Sequence, residues 1–190
     1  PRVGYVWVRV NGEDKGLYAN IETPDNVFYS RWYWSTDRVY EGAYGQDLFY
    51  DRLDDLEADI GTPDAGDALR PLVDLIETTA PGELMQRGEA LLDWDAVLGV
   101  FATEVFIGHW DGYAPTRNNY YIHLDNDQIA TWLPWGTDQS FRRRQGLWEG
   151  RGRLFETCVN DILCRMAYDQ ALLRVAEVTV SLNLEETLVP

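Results

Sequence analysis

The chain has 190 residues, of which 45% are hydrophobic and 13% aromatic, so it can bury the core of one domain of roughly 150–200 residues. Its formal net charge of -16 argues against nucleic acid or an anionic membrane as the main partner, because both attract basic surfaces. No segment approaches the ~20 consecutive apolar residues that a membrane span needs, and the surplus of acidic residues is typical of a secreted or salt-adapted protein.

The first pattern along the chain is that of a β-hairpin. Apolar and polar residues alternate on both sides of Asn11-Gly12, the kind of dipeptide that most strongly indicates a tight hairpin turn. Strands are therefore expected near residues 3–10 and 16–22, followed by a turn at 23–25.

The next stretch has three parts of different character. Residues 26–34, NVFYSRWYW, predict a helix with Phe28 and Trp32 on its buried face and Tyr29 as a further candidate for that face. Residues 37–51 are typical of a short strand and a glycine loop. Residues 54–67 are acidic but lack the regular alternation of an EF-hand loop, so a solvated connection is favoured over a calcium site.

Two amphipathic helices are predicted in the middle of the chain. Leucine, valine and isoleucine recur at helical spacing over residues 69–76, and Pro71 fits the first turn of that helix. A stronger pattern predicts a helix over residues 94–107, with Asp93 as its N-cap and Gly108 at its end. Its buried face would contain Trp94, Val97, Leu98, Phe101 and Val105.

A polar motif, GHWDGYAPTRNNYYIH at residues 108–123, follows directly after this buried helix. An ordinary connecting loop would not need its isolated aspartate, its arginine and its two adjacent asparagines. The sequence then predicts a second hairpin around a turn at 125–127, with Asp138 just beyond it. Two further helices are expected within residues 154–179.

The two cysteines, Cys158 and Cys164, are six positions apart. On an uninterrupted helix their Cα atoms would be about 9 Å apart along the axis, beyond the reach of a disulfide. A turn at Asn160-Asp161 would bring them together, and an extracellular protein would then form the bridge, whereas a cytoplasmic one would keep free, buried thiols. The disulfide is favoured. A zinc site is not expected, because His109 and His123 are the only histidines.

The polar motif contains the groups that phosphoryl transfer requires. Such a site needs one carboxylate to orient and deprotonate the attacking hydroxyl, and a carboxylate and an amide oxygen to hold Mg²⁺ against the phosphates. In protein kinases these groups follow the order helix, catalytic loop, short hairpin, metal-binding aspartate, and the order here is the same. Asp111 is the candidate base, Asn118 or Asn119 the amide ligand, and Asp138 the metal carboxylate. Turn formation or capping is the alternative role for each of them.

At this point the sequence resembles a known family, the CotH or spore coat protein H kinases, which have an atypical protein-kinase-like fold. Five segments carry the resemblance in the family's order, and together they span most of residues 6–168. They are VNGEDKGLYANIE, VYEGAYGQDL, HWDGYAPTRNNYYIHL, WLPWGTDQSF and CVNDILCRMAY.

The resemblance implies an α+β, kinase-like domain over residues 1–190 that is incomplete at its N-terminus. Residues 1–22 would form the small-lobe hairpin and hinge, and residues 23–190 the mostly helical large lobe. The adenine-binding hinge would lie near Ile21, Glu22 and Thr23. The family's earlier strands would precede Pro1, and a signal peptide is neither indicated nor excluded.

The resemblance also implies an activity. It is the ATP-dependent phosphorylation, with Mg²⁺ or Mn²⁺, of serine or threonine in protein substrates that are secreted or displayed on a bacterial cell surface or spore coat. Neither a nucleic acid partner nor a membrane span is expected.

Two departures from the family's pattern support a second hypothesis. Gly136 stands where the family usually has an aspartate, and Glu41 stands where many members have a lysine. Lys15, the only lysine of the chain, lies in a hairpin turn. The alternative function is therefore a catalytically degenerate kinase fold that serves as a scaffold or binding protein of the cell envelope or spore coat. A glycoside hydrolase is disfavoured, because no two carboxylates are paired at a definable separation.

Overall fold

The computed structural model describes residues 1–142 and 144–182. The chain divides into two compact units, one of residues 1–36 and one that begins at Asp37. The described residues form a mixed α+β structure with two small sheets and seven α-helices. None of the helices in this part of the chain has both the length and the apolar character needed to cross a membrane.

The first unit is a hairpin followed by a helix, and it confirms the predicted hairpin. Its elements are β1 (Val3–Val10), β2 (Glu13–Ile21) and α1 (Asn26–Trp32). The strands are antiparallel, and the turn between them places Asn11 at φ 52 and Gly12 at φ 86. These left-handed conformations are the reason that this dipeptide is typical of tight hairpins.

Helix α1 confirms the predicted burial of Phe28 and Tyr29 and corrects that of Trp32. Phe28 is 3% exposed, but Trp32 is 53% exposed, so its predicted burial was wrong. Trp32 is the last helical residue, and its indole lies at the edge of the unit beside the guanidinium of Arg2, 5.6 Å from the ring centre. An aromatic ring at a helix end can thus follow the helical spacing and still meet charged groups and solvent.

The second unit contains a four-stranded antiparallel sheet. Its strands are β3 (Arg38–Gly42), β4 (Glu57–Ile60), β5 (Tyr120–Leu124) and β6 (Ala130–Pro134), in the spatial order β4-β3-β5-β6. Strands β5 and β6 confirm the second predicted hairpin. Strand β4 corrects the prediction of a solvated connection at 54–67: its apolar residues, Ala58 and Ile60, are half-buried, while its acidic residues, Glu57 and Asp59, are exposed. Two apolar positions are too few to reveal a strand by alternation.

Six helices complete the described part of this unit. They are α2 (Arg70–Thr78), α3 (Leu84–Gly88), α4 (Trp94–Phe106), α5 (Tyr113–Thr116), α6 (Arg153–Asn160) and α7 (Ile162–Ser181). Helix α4 lies at the centre and packs against α7, β6 and α5. It confirms the strongest helix prediction, because Asp93 caps it by accepting the backbone N–H of Ala96 at 3.0 Å and Gly108 follows its end at φ 61. Pro71 lies in the first turn of α2, as expected.

The predicted disulfide between Cys158 and Cys164 is present, with a Cα–Cα distance of 5.0 Å. The chain turns between α6 and α7 at Asp161, where the sequence predicts a break. One oxygen of the Asp161 carboxylate caps α7 by accepting the N–H groups of Leu163 and Cys164, both at 3.0 Å. The other oxygen accepts the N–H of Gly82 at 2.5 Å. A buried aspartate therefore fixes the turn that brings the cysteines together.

Candidate functional site

The loop between α4 and β5 brings three of the predicted site residues together. Asn118 donates its amide N–H to Oδ1 of Asp111 at 3.0 Å, and Asn119 donates to Oδ2 of the same carboxylate at 2.9 Å. Asn119 also donates to the backbone carbonyl of Asp111 at 2.9 Å. All three side chains are half-buried. The carboxylate of Asp111 is thus held from both sides, while each of its oxygens keeps a second lone pair for another donor.

The orientation of the two amides decides which of their atoms remain available. Because both Asn118 and Asn119 point their nitrogens at Asp111, their carbonyl oxygens Oδ1 face elsewhere. No donor within the described ranges bonds to either oxygen. Amide and carboxylate oxygens are the ligands that Mg²⁺ prefers, so either amide could supply one metal ligand without releasing Asp111.

The shape of this loop depends on two residues with left-handed backbone. Arg117 has φ 57 and Asn119 has φ 49, conformations that cost a non-glycine residue about 1–2 kcal/mol. Each is secured by a hydrogen bond at 2.8 Å: the carbonyl of Arg117 accepts from the N–H of Gly45, and that of Asn119 from the N–H of Trp135. Strained backbone conformations that the surrounding structure holds in place are common at functional sites.

Asp138 lies in the short 3-10 turn Thr137–Gln139 that follows β6, and its side chain is exposed. Its Oδ2 accepts a hydrogen bond from the side chain of Gln139 at 2.8 Å. No hydrogen bond joins Asp138 to Asp111, Asn118 or Asn119 within the described part of the chain. Both aspartates are instead close enough to His109 for their negative charges to act on its imidazole, in the direction that raises its pKa.

His109 is a fully buried side chain next to the predicted base. Its Nε2 lies 3.1 Å from the carbonyl oxygen of Trp135. Burial lowers the pKa of His109, and this effect exceeds the opposing influence of the hydrogen bond and of the charges of Asp111 and Asp138. A neutral imidazole bonded to a carbonyl carries its proton on Nε2, so His109 ties the loop to the strand end before Asp138.

Gly136 lies directly beside Asn119. A Cβ atom at position 136 would be 3.1 Å from Cγ of Asn119 and 3.2 Å from its Nδ2. Gly136 also has φ 57, in the region that favours glycine. Gly136, where the resemblance implies an aspartate, therefore adjoins one of the predicted metal ligands.

Glu104 is a residue of this site that the sequence reasoning missed. Its carboxylate is buried beneath the loop and accepts the backbone N–H groups of Tyr113 at 3.2 Å and Ala114 at 2.9 Å. Burial raises the pKa of Glu104 from 4.5 to about 7, against the lowering effect of these two hydrogen bonds. Gly112 makes the approach possible, because a Cβ there would lie 2.6 Å from Oε1 of Glu104.

Asp47 is the second missed residue, and it holds the loop from the other side. One oxygen of this buried carboxylate accepts the hydroxyl of Tyr113 at 3.1 Å, and the other accepts the backbone N–H of Arg153 at 2.8 Å. The Tyr113 hydroxyl in turn accepts the N–H of Leu154 at 3.1 Å. Burial raises the pKa of Asp47, opposed by these hydrogen bonds. The loop is therefore anchored to both α4 and the start of α6.

Of the two missed residues, only Glu104 could have been identified from the sequence pattern. Glu104 lies three residues after Phe101 and seven after Val97, so it falls on the buried face that the apolar residues of α4 define. A glutamate on such a face requires partners that neutralise it or satisfy its hydrogen bonds. Asp47 sits in a glycine loop without periodicity, and no comparable pattern identifies it.

The predicted hinge residues belong to the first unit. Ile21 ends β2, and Glu22 pairs its carboxylate with the guanidinium of Arg31 and with the backbone N–H of Arg2, the latter at 2.9 Å. The carbonyl of Thr23 accepts the N–H of Asp25 at 2.8 Å. Their predicted role in binding adenine remains a prediction.

Comparison with known proteins identifies one family. The family model described as CotH kinase protein matches residues 1–174, which include the loop, the second hairpin and the disulfide. No curated protein matches the sequence.

Proposed function

The chain belongs to the CotH kinase family, and on that premise we propose that it is a protein kinase. It would transfer phosphate from ATP to serine or threonine of protein substrates, with Mg²⁺ or Mn²⁺. The observation that carries the proposal is the arrangement around Asp111, whose carboxylate is held by Asn118 and Asn119 at 3.0 and 2.9 Å. Phosphoryl transfer requires a positioned carboxylate for the attacking hydroxyl and oxygen ligands for the metal, and Asp111 and the neighbouring amide oxygens provide such groups.

Asp111 is proposed as the base. Each oxygen of its carboxylate accepts one amide N–H and retains a lone pair, so a substrate hydroxyl can donate to it without displacing either asparagine. As the hydroxyl oxygen attacks, its proton passes to the carboxylate. The hydrogen bonds to Glu104 and Asp47 keep the loop in place. This matters because a displacement of even about 1 Å would reduce the rate of transfer.

Asp138 and one of the two asparagines are proposed to hold the metal. Their oxygens suit a hard cation, although no cluster of three or more His, Cys, Asp or Glu side chains occurs within residues 1–142 and 144–182. Mg²⁺ is commonly bound by one or two carboxylates together with substrate phosphates, so a full protein cage is not required. The bound metal would neutralise charge on the phosphates during transfer. Ile21, Glu22 and Thr23 are proposed as the hinge that meets adenine.

The substrates are proposed to be secreted, cell-surface or spore-coat proteins of a bacterium. The Cys158–Cys164 disulfide supports this location, because disulfides persist in oxidising compartments and are rare in the cytosol. The assignment of residues 1–22 to a small lobe and hinge, and of residues 23–190 to a large lobe, belongs to the same proposal.

A scaffold with a degenerate kinase fold is the second candidate, and one observation favours it. Gly136 adjoins Asn119 where an aspartate would place another carboxylate, so the candidate metal site has fewer negative charges than the family pattern implies. Weak metal affinity is therefore expected even of an active enzyme.

Metal-dependent ATP binding separates the two candidates. In calorimetric titrations of the full-length protein with ATP, a kinase should bind ATP in millimolar Mg²⁺ or Mn²⁺ and lose most of that affinity when the metal is chelated. A scaffold should bind no ATP under either condition. Absence of binding to a folded protein at saturating metal would contradict the kinase proposal.

A further inference from the structure

The buried carboxylate of Glu104 is hydrogen-bonded to the loop just after the proposed base. Its Oε1 accepts the backbone N–H of Tyr113 at 3.2 Å, and its Oε2 accepts that of Ala114 at 2.9 Å. Both oxygens are therefore engaged, and Asp111 lies only two residues before Tyr113. Glu104 is 1% exposed, so these two hydrogen bonds are shielded from solvent.

Gly112 connects this contact to Asp111 in two ways. It is the chain neighbour of Asp111, and its carbonyl accepts the backbone N–H of Asn118 at 3.3 Å. The side chain of Asn118 in turn holds the Asp111 carboxylate. Gly112 has little free space, because a Cβ there would lie 2.6 Å from Oε1 of Glu104 and 2.7 Å from Cδ2 of His109. A change at Glu104 therefore reaches the groups that position Asp111.

The two protonation states of this carboxyl group differ in what they can bind. An ionised carboxylate is an acceptor at both oxygens, so it satisfies two N–H groups at once. A protonated carboxyl group carries an O–H, which is a donor, and a donor facing a backbone N–H forms no hydrogen bond with it. Protonation therefore removes the acceptor of Tyr113 or of Ala114 and leaves a buried N–H group without a partner.

The surroundings of Glu104 leave it as the group that changes charge near neutral pH. It forms no ion pair with any residue that the structure describes. Helix α4 packs against α7, β6 and α5; Tyr168 on α7, Tyr113 on α5 and His109 in the loop face Glu104, and β6 has no titratable side chain. Burial raises the pKa of both tyrosines and lowers that of His109, so these three are neutral at pH 7. Burial raises the pKa of Glu104 itself to about 7.

We propose that Glu104 is a positioning residue whose ionisation switches phosphate transfer on. The ionised carboxylate holds the loop so that Asp111 meets the attacking hydroxyl, and protonation releases one N–H group and lets the loop move. This inference rests on the kinase function proposed above and adds its regulation by pH. An ionised carboxylate in a buried position lowers stability, and a role in transfer accounts for its presence where a glutamine would be more stable.

The pH dependence of transfer tests this inference in the full-length protein, with casein as the serine-containing acceptor and with saturating ATP and Mg²⁺. A pKa of about 7 leaves about 90% of Glu104 ionised at pH 8 and about 10% at pH 6, so kcat of the parent should fall about tenfold between them. Glu104→Gln has one acceptor and one donor, so its kcat at pH 8 should match that of the parent at pH 6 and change little with pH. ATP affinity should be equal in the two proteins, because Glu104 contacts none of the proposed metal ligands or hinge residues.

Hydrogen–deuterium exchange gives a second measurement that needs no activity. Peptides that span residues 111–118 are followed by mass spectrometry, and each rate is corrected for the intrinsic exchange rate at that pH. Protection of this loop should decrease from pH 8 to pH 6 in the parent and should be low at both values in Glu104→Gln. Glu156→Gln, at an exposed site on α6, is the matched control and should keep the kcat profile and the protection of the parent.

Two results would overturn the inference. One is a tenfold fall of kcat that persists in Glu104→Gln, which would assign the pH dependence to another group such as Asp47. The other is protection of residues 111–118 that stays constant between pH 6 and pH 8 in the parent. Absence of ATP binding and of transfer in the parent at every pH would instead refute the kinase function, while the exchange measurement would still decide whether Glu104 holds the loop.

Discussion

Glu104 gives the most quantitative prediction, through the substitution Glu104→Gln. This carboxylate is buried with a pKa raised to about 7 from an ordinary 4.5. Below pH 4.5 the side chain is protonated in both the folded and the unfolded protein. As pH rises from there to about 7, the unfolded chain loses the proton first, so the free energy of unfolding decreases. Above about pH 7 both states are ionised and the loss is complete.

The size of the effect follows from the two pKa values. One pKa unit corresponds to about 1.4 kcal/mol, so between pH 5 and pH 8 Glu104 should lower the free energy of unfolding by roughly 2–3 kcal/mol. Glutamine does not titrate, but it replaces one acceptor by a donor opposite the N–H groups of Tyr113 and Ala114, at a cost of about 1 kcal/mol. The parent has already lost about 1 kcal/mol by pH 5, so the two proteins should be about equally stable there, whereas at pH 8 the variant should be more stable by roughly 2 kcal/mol.

Urea unfolding monitored by tryptophan fluorescence at several pH values between 5 and 8 measures this difference. Other titrating groups, including Asp47, are common to both proteins, so their contributions cancel when the variant is subtracted from the parent. Glu156→Gln, an exposed site on α6, is the control and should keep the pH dependence of the parent. Parallel stability curves for the parent and Glu104→Gln would show that burial does not raise the pKa of Glu104.

Two further predictions concern the metal site and the disulfide. Gly136→Asp should tighten Mg²⁺-dependent ATP binding in calorimetry, at a cost of about 1–2 kcal/mol in stability for the left-handed backbone, and unchanged metal dependence would contradict the proposed place of Asn119 in the site. Replacing Cys158 and Cys164 together by alanine should lower the free energy of unfolding by about 2 kcal/mol, since the bridge closes only a short loop; urea unfolding would reveal it, and an unchanged midpoint would argue against a bridge in solution.

The elements that could be predicted from sequence are those with a sustained local pattern. Helix α4 combines apolar spacing with an Asp93 cap and a terminal Gly108, and both hairpins combine alternation with a turn sequence. The break at Asp161 likewise predicted the disulfide. These features depend on interactions within a few residues, which a single sequence records.

The elements that could not be predicted are short or depend on distant partners. Strand β4 has only Ala58 and Ile60 on its inner side, and α3 and α5 are five and four residues long, too short for periodicity to appear. The anchoring of the loop between α4 and β5 depends on Asp47, which lies 66 positions before Tyr113 in the chain. Contacts of this kind arise only when the chain has folded.

Asp111 and Asp138 are proposed to have different roles, Asp111 as base and Asp138 as metal ligand. A metal ligand acts in the ground state and in the transition state, whereas a base matters mainly as the hydroxyl attacks. Asp111→Asn should therefore keep metal-dependent ATP binding and lose phosphate transfer, while Asp138→Asn should weaken the binding itself.

The most direct measurement compares ATP affinity and single-turnover transfer in these two variants of the full-length protein. Asp127→Asn, an exposed aspartate in the turn between β5 and β6, is the matched control and should keep both properties. Asp111→Asn should show near-parental ATP affinity with no transfer, and Asp138→Asn should show reduced metal-dependent affinity. Full transfer by Asp111→Asn, or unchanged metal-dependent affinity in Asp138→Asn, would contradict these two roles.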